Sequence, residues 1–354
     1  MQLPAQLKSA LDEILQTTNT SNLEKASSRL TKRYRDEVVD GKMHIDNKNA
    51  ALGYVAARFP ATYAAVFSAL QQVQNILPSF SPASQLDVGA GPGTAVFAAA
   101  KLFPALKSAT LVEQSSDIIA IGKALFSKCS TMPAACPDLF CEEGGSFEKG
   151  EGEKTGEASK RKIISNWQQA DILSSVPDTL PHADLVTASY LLDELDEKNR
   201  TALVDRLWGK TGGILLLVEP GTPAGFKRLN AARDRLISVG AHIVAPCPHE
   251  FACPIVPPDW CHFSVRVERS RTHRLAKQAV VPFEDEKFCY LALSHNKPDV
   301  QYCRILSRPL RSSGKISCYL CTPAGRKEAA TSTRKDKKNY AVMRRSDWGD
   351  SLKI

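Results

Sequence analysis

Two rhythms of apolar and polar positions divide this chain. Near its start Leu11, Ile14 and Leu15 recur at helical spacing, and Leu23 and Leu30 extend the pattern. An amphipathic stretch from Tyr54 to Ala65 leads into Val66–Leu77, and Pro78 and Pro82 close it, so residues 1–80 are predicted as a helical lead-in. From Gln85 the period changes. Short apolar runs at 85–88, 110–113, 162–171, 183–192 and 213–221 read as strands, and 95–103, 115–126 and 226–239 read as helices. Their alternation predicts an α/β fold with a parallel sheet. The run Gly213-Ile-Leu-Leu-Leu-Val-Glu-Pro-Gly221 is apolar throughout, as a strand covered on both faces must be. Further on, 288–294, 302–306 and 315–320 alternate like strands. Three regions follow: a helical region over 1–80, an α/β domain over 81–242, and a strand-rich extension over 243–354. The Gly- and Glu-rich stretch Glu142–Glu157 is predicted to be a loop.

The strand at 85–88 runs straight into Gly89-Ala-Gly-Pro-Gly93. Glycines let the backbone turn sharply and approach a ligand with no Cβ in the way. A helix that follows such a turn presents free amide donors above it. This is a nucleotide-type cofactor site at the carboxyl end of a first parallel strand. The third glycine comes too early for G-x-G-x-x-G, and no Lys-Ser/Thr follows, so neither a dinucleotide fingerprint nor a P-loop fits. With Asp87 just before the turn, the run resembles the first motif of class I S-adenosylmethionine-dependent methyltransferases. Glu113, about 20 residues past Gly93, is placed to accept from ribose hydroxyls. Asp171, after the third strand, is a candidate acceptor for the adenine amino group, and Arg58 lies in a helix that could cover the site beside a carboxylate. Asp193, Glu194 and Asp196 suit the dipole at the start of the next helix. No Asn/Asp-Pro-Pro-aromatic tetrapeptide follows the fourth strand, where Ser189-Tyr-Leu-Leu192 stands instead. The pair Pro246-Cys247 lies too far along to be a base-methylating nucleophile. No residue presents itself as a catalytic base.

The chain has 354 residues, ten cysteines and a net charge of +8. It has no run of about 18 apolar residues to cross a membrane. Nor does it begin with a basic segment and an apolar core, so export and structural disulfides are not expected. Grouped cysteines then point to metal ligation. Cys247, Cys253 and Cys261 are spaced C-x5-C-x7-C among Pro246, Pro248, Pro254, Pro257 and Pro258, which keep the segment out of helix and sheet. A fourth ligand must come from afar. Cys318 and Cys321 are candidates, and in a strand they would face opposite sides. His249 and His262 could instead complete a zinc site. On spacing alone, zinc and iron–sulfur remain equal alternatives. Cys129, Cys136 and Cys141 read as ordinary thiols.

Six motifs then occur in order: Arg58-Phe-Pro-Ala-Thr-Tyr, Leu86-Asp-Val-Gly-Ala-Gly-Pro-Gly, Val218-Glu-Pro-Gly-Thr-Pro, Ala245-Pro-Cys-Pro-His, Trp260-Cys-His-Phe and Ser346-Asp-Trp-Gly-Asp350. Together, over residues 50 to 350, they resemble the methyltransferase-like small-ribosomal-subunit assembly family, with mitochondrial and bacterial members. The resemblance implies a class I methyltransferase-like sheet with a helical lead-in and a basic, strand-rich C-terminal extension. It implies S-adenosylmethionine held by Asp87, Gly89, Gly91, Gly93, Glu113 and Asp171. It also implies a [4Fe–4S] cluster on Cys247, Cys253, Cys261 and a fourth cysteine. Leu320-Cys-Thr-Pro-Ala-Gly325 fits the family's pattern, favouring Cys321 over Cys318. The implied partner is small-subunit rRNA in an immature small subunit, bound by a monomer with no membrane contact. The setting is the cytoplasm for a bacterial chain and the mitochondrial matrix for a eukaryotic one. The insertion at 142–157 departs from the family. Whether methyl transfer occurs stays open between an rRNA methyltransferase and a non-catalytic rRNA-binding factor, with a zinc-containing small-molecule methyltransferase as a third alternative.

Basic residues support an RNA partner. Arg304, Arg308, Arg311, Lys315, Arg326, Lys327, Arg334, Lys335, Lys337, Lys338, Arg344 and Arg345 face only Glu328 and Asp336 in sequence. Arg266, Arg269, Arg271, His273 and Arg274 form a second cluster. At the other end Lys25, Arg29, Lys32, Arg33 and Arg35 read as a solvated face.

Overall fold

The computed structural model describes residues 1–16, 47–129, 163–172, 179–277 and 279–353. The expectations on Leu23, Leu30, Lys25–Arg35, Cys136, Cys141 and 142–157 lie outside them.

Among the described residues, α1 (Ala5–Gln16) and α2 (Lys48–Ile76) precede the sheet. Helix α2 starts where the Asn47 side chain accepts from the Ala50 amide at 2.9 Å. Its small alanines leave it apolar nearly all round, and Val55, Phe59, Val66, Leu70 and Val73 are essentially inaccessible. A helix apolar on every side must be wrapped on every side. It packs on the helix that follows the glycine turn and on the back of the sheet.

Then come β1 (Ser84–Val88), α3 (Thr94–Leu102), β2 (Ser108–Glu113), α4 (Ser116–Lys128), β3 (Ile164–Gln169), β4 (Ala183–Ser189), α5 (Glu197–Lys210), β5 (Thr211–Pro220), α6 (Pro223–Ser238), β6 (His242–Ala245), β7 (Phe263–Glu268), α7 (Arg271–Ala276) and β8 (Phe283–Ser294). Helices α4, α5 and α6 begin at the side-chain caps Ser115, Asp196 and Thr222. Asp196 thus caps the helix after β4, as its place in the sequence predicts.

Among the described residues the strands order as β3-β2-β1-β4-β5-β8-β6, with β7 also paired to β8. Strands β3, β2, β1, β4 and β5 run parallel, and β8 is inserted antiparallel between β5 and β6. This doubly wound order, reversing direction beside β1, is that of the class I methyltransferase-like fold the sequence predicts. The second sheet orders as β10-β11-β9-β13 with β12 on β11, from β9 (Tyr302–Ile305), β10 (Leu310–Ser312), β11 (Lys315–Cys321), β12 (Lys327–Thr333) and β13 (Ser351–Lys353). Helix α8 (Lys337–Arg345) packs on β11 and β12. Residues 243–354 therefore divide between the sheets: β6, β7 and β8 complete the first one, and the rest builds the second.

Candidate cofactor site and cysteine-lined cavity

The register of the first sheet gathers the predicted cofactor residues at one edge. Val88 pairs with Val112, and Glu113 pairs with Gln169. The glycine turn, Glu113 and Asp171 thus all emerge at the carboxyl ends of neighbouring parallel strands, where such sheets bind ligands. Gly89, Gly91 and Gly93 have φ of +67°, +54° and +83°, in the left-handed region. At Gly93 space is lacking too, since a Cβ would stand 2.6 Å from Phe126. At Gly91 the nearest atoms, on Tyr54, would be 3.9 Å away, which leaves that side of the turn open to a ligand.

Glu113 is already at work. One oxygen accepts from the Gly91 amide at 2.9 Å, and the other accepts from the Gln114 and Ser115 amides, each at 2.9 Å. A carboxylate offers about four acceptor positions, so this one pins the turn and keeps capacity for a hydroxyl. Burial pushes its pKa up, and the three amides pull it back. Asp87 sits lower. It is 1% exposed, within the sheet, and accepts from the Thr187 hydroxyl at 2.6 Å while its second oxygen has no partner among the described residues. Burial raises its pKa to about 7. Asp87 thus braces β1 against β4 beneath the turn. Asp171, half buried, follows β3 at the same edge.

A polar group that the sequence does not reveal stands over this edge. Arg58 of α2 reaches Glu286 of β8 at 2.9 Å and lies 5.1 Å from the centre of the Tyr190 ring. The Tyr190 hydroxyl donates to the same Glu286 oxygen at 2.9 Å. The carboxylate beside Arg58 is therefore a side chain of the protein. Tyr190, the residue after β4, has φ of +57°, the one non-glycine among the described residues in that region. Such strain persists only where the surroundings enforce it. Here the hydrogen bond and the guanidinium do so. One turn further, Glu219 is fully buried, accepts from the Leu192 amide and is paired with Arg228 at 2.7 Å, fixing the loop after β4 to the end of β5.

The cysteines meet elsewhere, where the two sheets adjoin. Cys247, Cys253, Cys261 and Cys321 line one cavity, with about 580 Å³ of empty space, part of it open solvent. Cys318 does not line it. In β11 residues alternate faces, so Cys321 turns to the cavity while Cys318 packs with Ile305, Ile316 and Met343. The loop is held from behind by cations. Arg304 donates to the carbonyls of Pro246 at 2.8 Å and Gly349 at 2.7 Å and also bonds Gln72. Arg233 donates to the carbonyls of His249 at 3.2 Å and Phe251 at 2.5 Å. The Tyr302 hydroxyl lies at the carbonyls of Val244 and Cys247.

Two further groups share the lining. His249 Nε2 is 3.3 Å from Cys321 Sγ, and Cys289 donates to the Cys261 carbonyl at 3.1 Å. His262 is not part of it, being stacked against Trp260 and set edge-on to Trp348. Among the described residues, no three Cys, His, Asp or Glu side chains are grouped so as to hold a metal ion. Five polar groups at the cavity nevertheless keep a buried atom with no partner among the described residues: Asn230 Oδ1, Arg233 Nε, His249 Nδ1, Tyr290 OH and Arg304 Nη2. Burial pushes the Cys321 thiol up to about 12 and raises that of Cys247 too, against the opposing pull of Arg233 and Arg304. Cysteine thiols beside two guanidiniums that each keep an unpaired N–H form a set that suits an anionic group.

The predicted basic clusters need correction. Arg304 is fully buried and supports the cysteine loop, so it offers nothing to a phosphate. Arg266 pairs with Asp285 and Arg269 with Glu284, and His273 is 1% exposed beside Glu284. Those three brace β7, α7 and β8. Arg271 and Arg274 are exposed, as are Arg308, Lys315, Arg326, Lys327, Arg334, Lys335, Lys337 and Lys338 around the second sheet.

A family profile described as mitochondrial small ribosomal subunit Rsm22 matches residues 48–137 and 154–353, which take in both the glycine turn and the cysteine cavity. This chain belongs to the Rsm22 family. Ribosome assembly protein METTL17, mitochondrial, of Homo sapiens is 29% identical over 321 residues, covering 86% of this chain and 62% of the human protein. Rsm22-cox11 tandem protein 2, mitochondrial, of Schizosaccharomyces pombe is 23% identical over 347 residues, covering 84% of this chain and 42% of that protein. The chain thus spans about half the length of these relatives. Among solved structures, plantazolicin methyltransferase BpumL with bound SAH aligns over 81% of this chain and 99% of its own, at 11% identity and a TM-score of 0.40. Magnesium protoporphyrin IX methyltransferase from Synechocystis aligns over 75% and 94%, at 12% identity and 0.38. For this Rsm22-family chain the strand order itself carries the fold assignment.

Proposed function

We propose that this Rsm22-family chain binds S-adenosylmethionine at the glycine turn, carries a [4Fe–4S] cluster at the cysteine cavity, and acts on small-subunit rRNA during ribosome assembly. The observation that carries the reading is the convergence of three loop cysteines with Cys321, more than fifty residues downstream, on one cavity. Gly89, Gly91 and Gly93 would cradle the methionine end, Glu113 would take the ribose and Asp171 the adenine, with Asp87 bracing the turn from below. When bound, S-adenosylmethionine supplies an electrophilic methyl group. Cys247, Cys253, Cys261 and Cys321 would hold the cluster, which ties loop 247–261 to β11. Its part is structural, because its ligands join two distant segments. A zinc ion held by thiols of the same cavity is the alternative centre. Residues 1–80, 81–242 and 243–354 would serve as lead-in, cofactor-binding region and RNA-facing region. The human and fission-yeast relatives carry mitochondrial names, and for a eukaryotic chain the matrix is the setting we infer.

A second reading, binding without catalysis, is favoured by the Tyr190–Glu286–Arg58 group, which already satisfies itself at the end of β4. Methyl transfer from labelled S-adenosylmethionine to immature small subunits separates the two. The enzyme reading predicts label in rRNA with the wild type and a loss of at least about tenfold in Gly91→Arg, whose side chain would enter the turn. Absence of label, with cofactor binding intact and still sensitive to Gly91→Arg, would leave the non-catalytic factor. A wild type that binds no cofactor would remove both.

A further inference from the structure

A second cleft opens beside the cysteine cavity. Asp259, Trp260, Ser307, Tyr319 and Lys327 line it, and Ile255, Cys261 and Leu306 form part of both walls. One side is the outer face of β11 and β12. Alternation puts Lys315, Ser317, Tyr319 and Cys321 on that face, and the register sets Thr333, Thr331, Ala329 and Lys327 opposite them. Leu310 of β10 pairs with Ser317 and joins the same face. The other face is covered by α8, through Met343. Away from the buried Cys321, the outer face is open: Tyr319 is 50% exposed and Leu310 76%.

Its chemistry is selective. Tyr319 is a half-exposed aromatic ring with the Lys327 ammonium set over it, 5.2 Å from its centre. Lys327 also pairs with Asp259 at 2.6 Å, which places a carboxylate at the end of the cleft. Trp260 is fixed by donating to the Gly221 carbonyl at 3.0 Å and by stacking on His262, so that wall is rigid. The strand residues on this face carry no acid, and exposed Lys315, Arg326 and Arg334 surround it. A flat aromatic platform in a basic field, with one hydrogen-bond acceptor at its end, suits an unstacked base better than an apolar side chain.

We propose that this cleft takes one unpaired base of single-stranded RNA, stacked on Tyr319. Asp259 accepts from an N–H on the base edge, and Lys327 turns to the adjoining phosphate. The inference rests on the RNA-binding reading above and names the site and strand type. It also makes base binding sensitive to the cysteine cavity, because the base would sit against Cys261.

The test uses the full chain, purified anaerobically, and a fluorescent single-stranded RNA of about twelve nucleotides, with the same sequence as a duplex for comparison. The single strand is expected to bind at least about tenfold tighter than the duplex. Tyr319→Ala should weaken it by about tenfold or more with the slope against salt unchanged, and Tyr319→Phe should restore it. With 4-thiouridine in the strand, the wild type should cross-link within peptide 315–327, a readout independent of any variant's folding. Wild-type affinity in Tyr319→Ala together with cross-links elsewhere would overturn the cleft; binding of immature small subunits by the same preparation would show that the RNA reading survives. If the wild type binds neither oligonucleotide nor small subunit, both fall.

Discussion

At the scale of single residues, the account depends on polar atoms held out of water. Asp87 is the clearest case. Its pKa of about 7 means that the folded chain keeps a proton which an unfolded aspartate, with a pKa near 3.9, gives up. That stabilising contribution is complete below about pH 4 and is lost as pH rises to about 7. Asp87→Asn keeps an acceptor for Thr187 and removes the titration. Denaturant unfolding from pH 4 to 7 should therefore give a flatter stability profile in the variant, by up to ~1.4 kcal/mol for each pH unit crossed. Parallel profiles would mean that Asp87 is ionised in the fold. Residues also mark the limits of reading a sequence. Arg304 looks like a surface cation among its basic neighbours, yet it is fully buried against Pro246 and Gly349. Nothing local distinguishes it, since its partners are contributed by α2, the cysteine loop and the turn before β13. The Tyr190–Arg58–Glu286 group is equally illegible, joining α2, β4 and β8 across more than two hundred positions.

At the scale of elements, periodicity did most of the work where structure is local. The glycine turn, the strand before it and the Asp196 cap follow from short-range rules, as does the opposition of Cys318 to Cys321. Where pairing is long-range, the pattern is silent. β8 reads as a strand, but only the sheet itself tells that it enters between β5 and β6. The parity of β11 has a direct consequence. Cys321→Ser should lower the iron content of the purified protein by half or more, whereas Cys318→Ser should leave it near wild type, because that side chain lies under α8 with Met343. Equal loss in both, or loss in Cys318→Ser alone, would show that β11 presents the other face. Acid digestion and metal analysis provide the numbers.

At the scale of the molecule, two sheets meet at a cavity that the loop from 246 to 262 closes and β11 completes. The glycine-turn edge is built from the first sheet and α2, while the exposed cations gather around the second. A centre placed where the sheets adjoin would set how the second sheet, with its exposed cations, is carried by the first, and its loss would loosen one from the other. No helix among the described residues is long and apolar enough to cross a membrane. The most direct measurement is iron, acid-labile sulfide and the visible absorbance spectrum of anaerobically purified wild-type protein beside Cys253→Ser. The account predicts about four iron and four sulfide per chain with a broad cluster absorbance in the wild type, and loss of both together with a lower melting temperature in the variant. Zinc in place of iron, or iron and melting behaviour unchanged in Cys253→Ser, would contradict it.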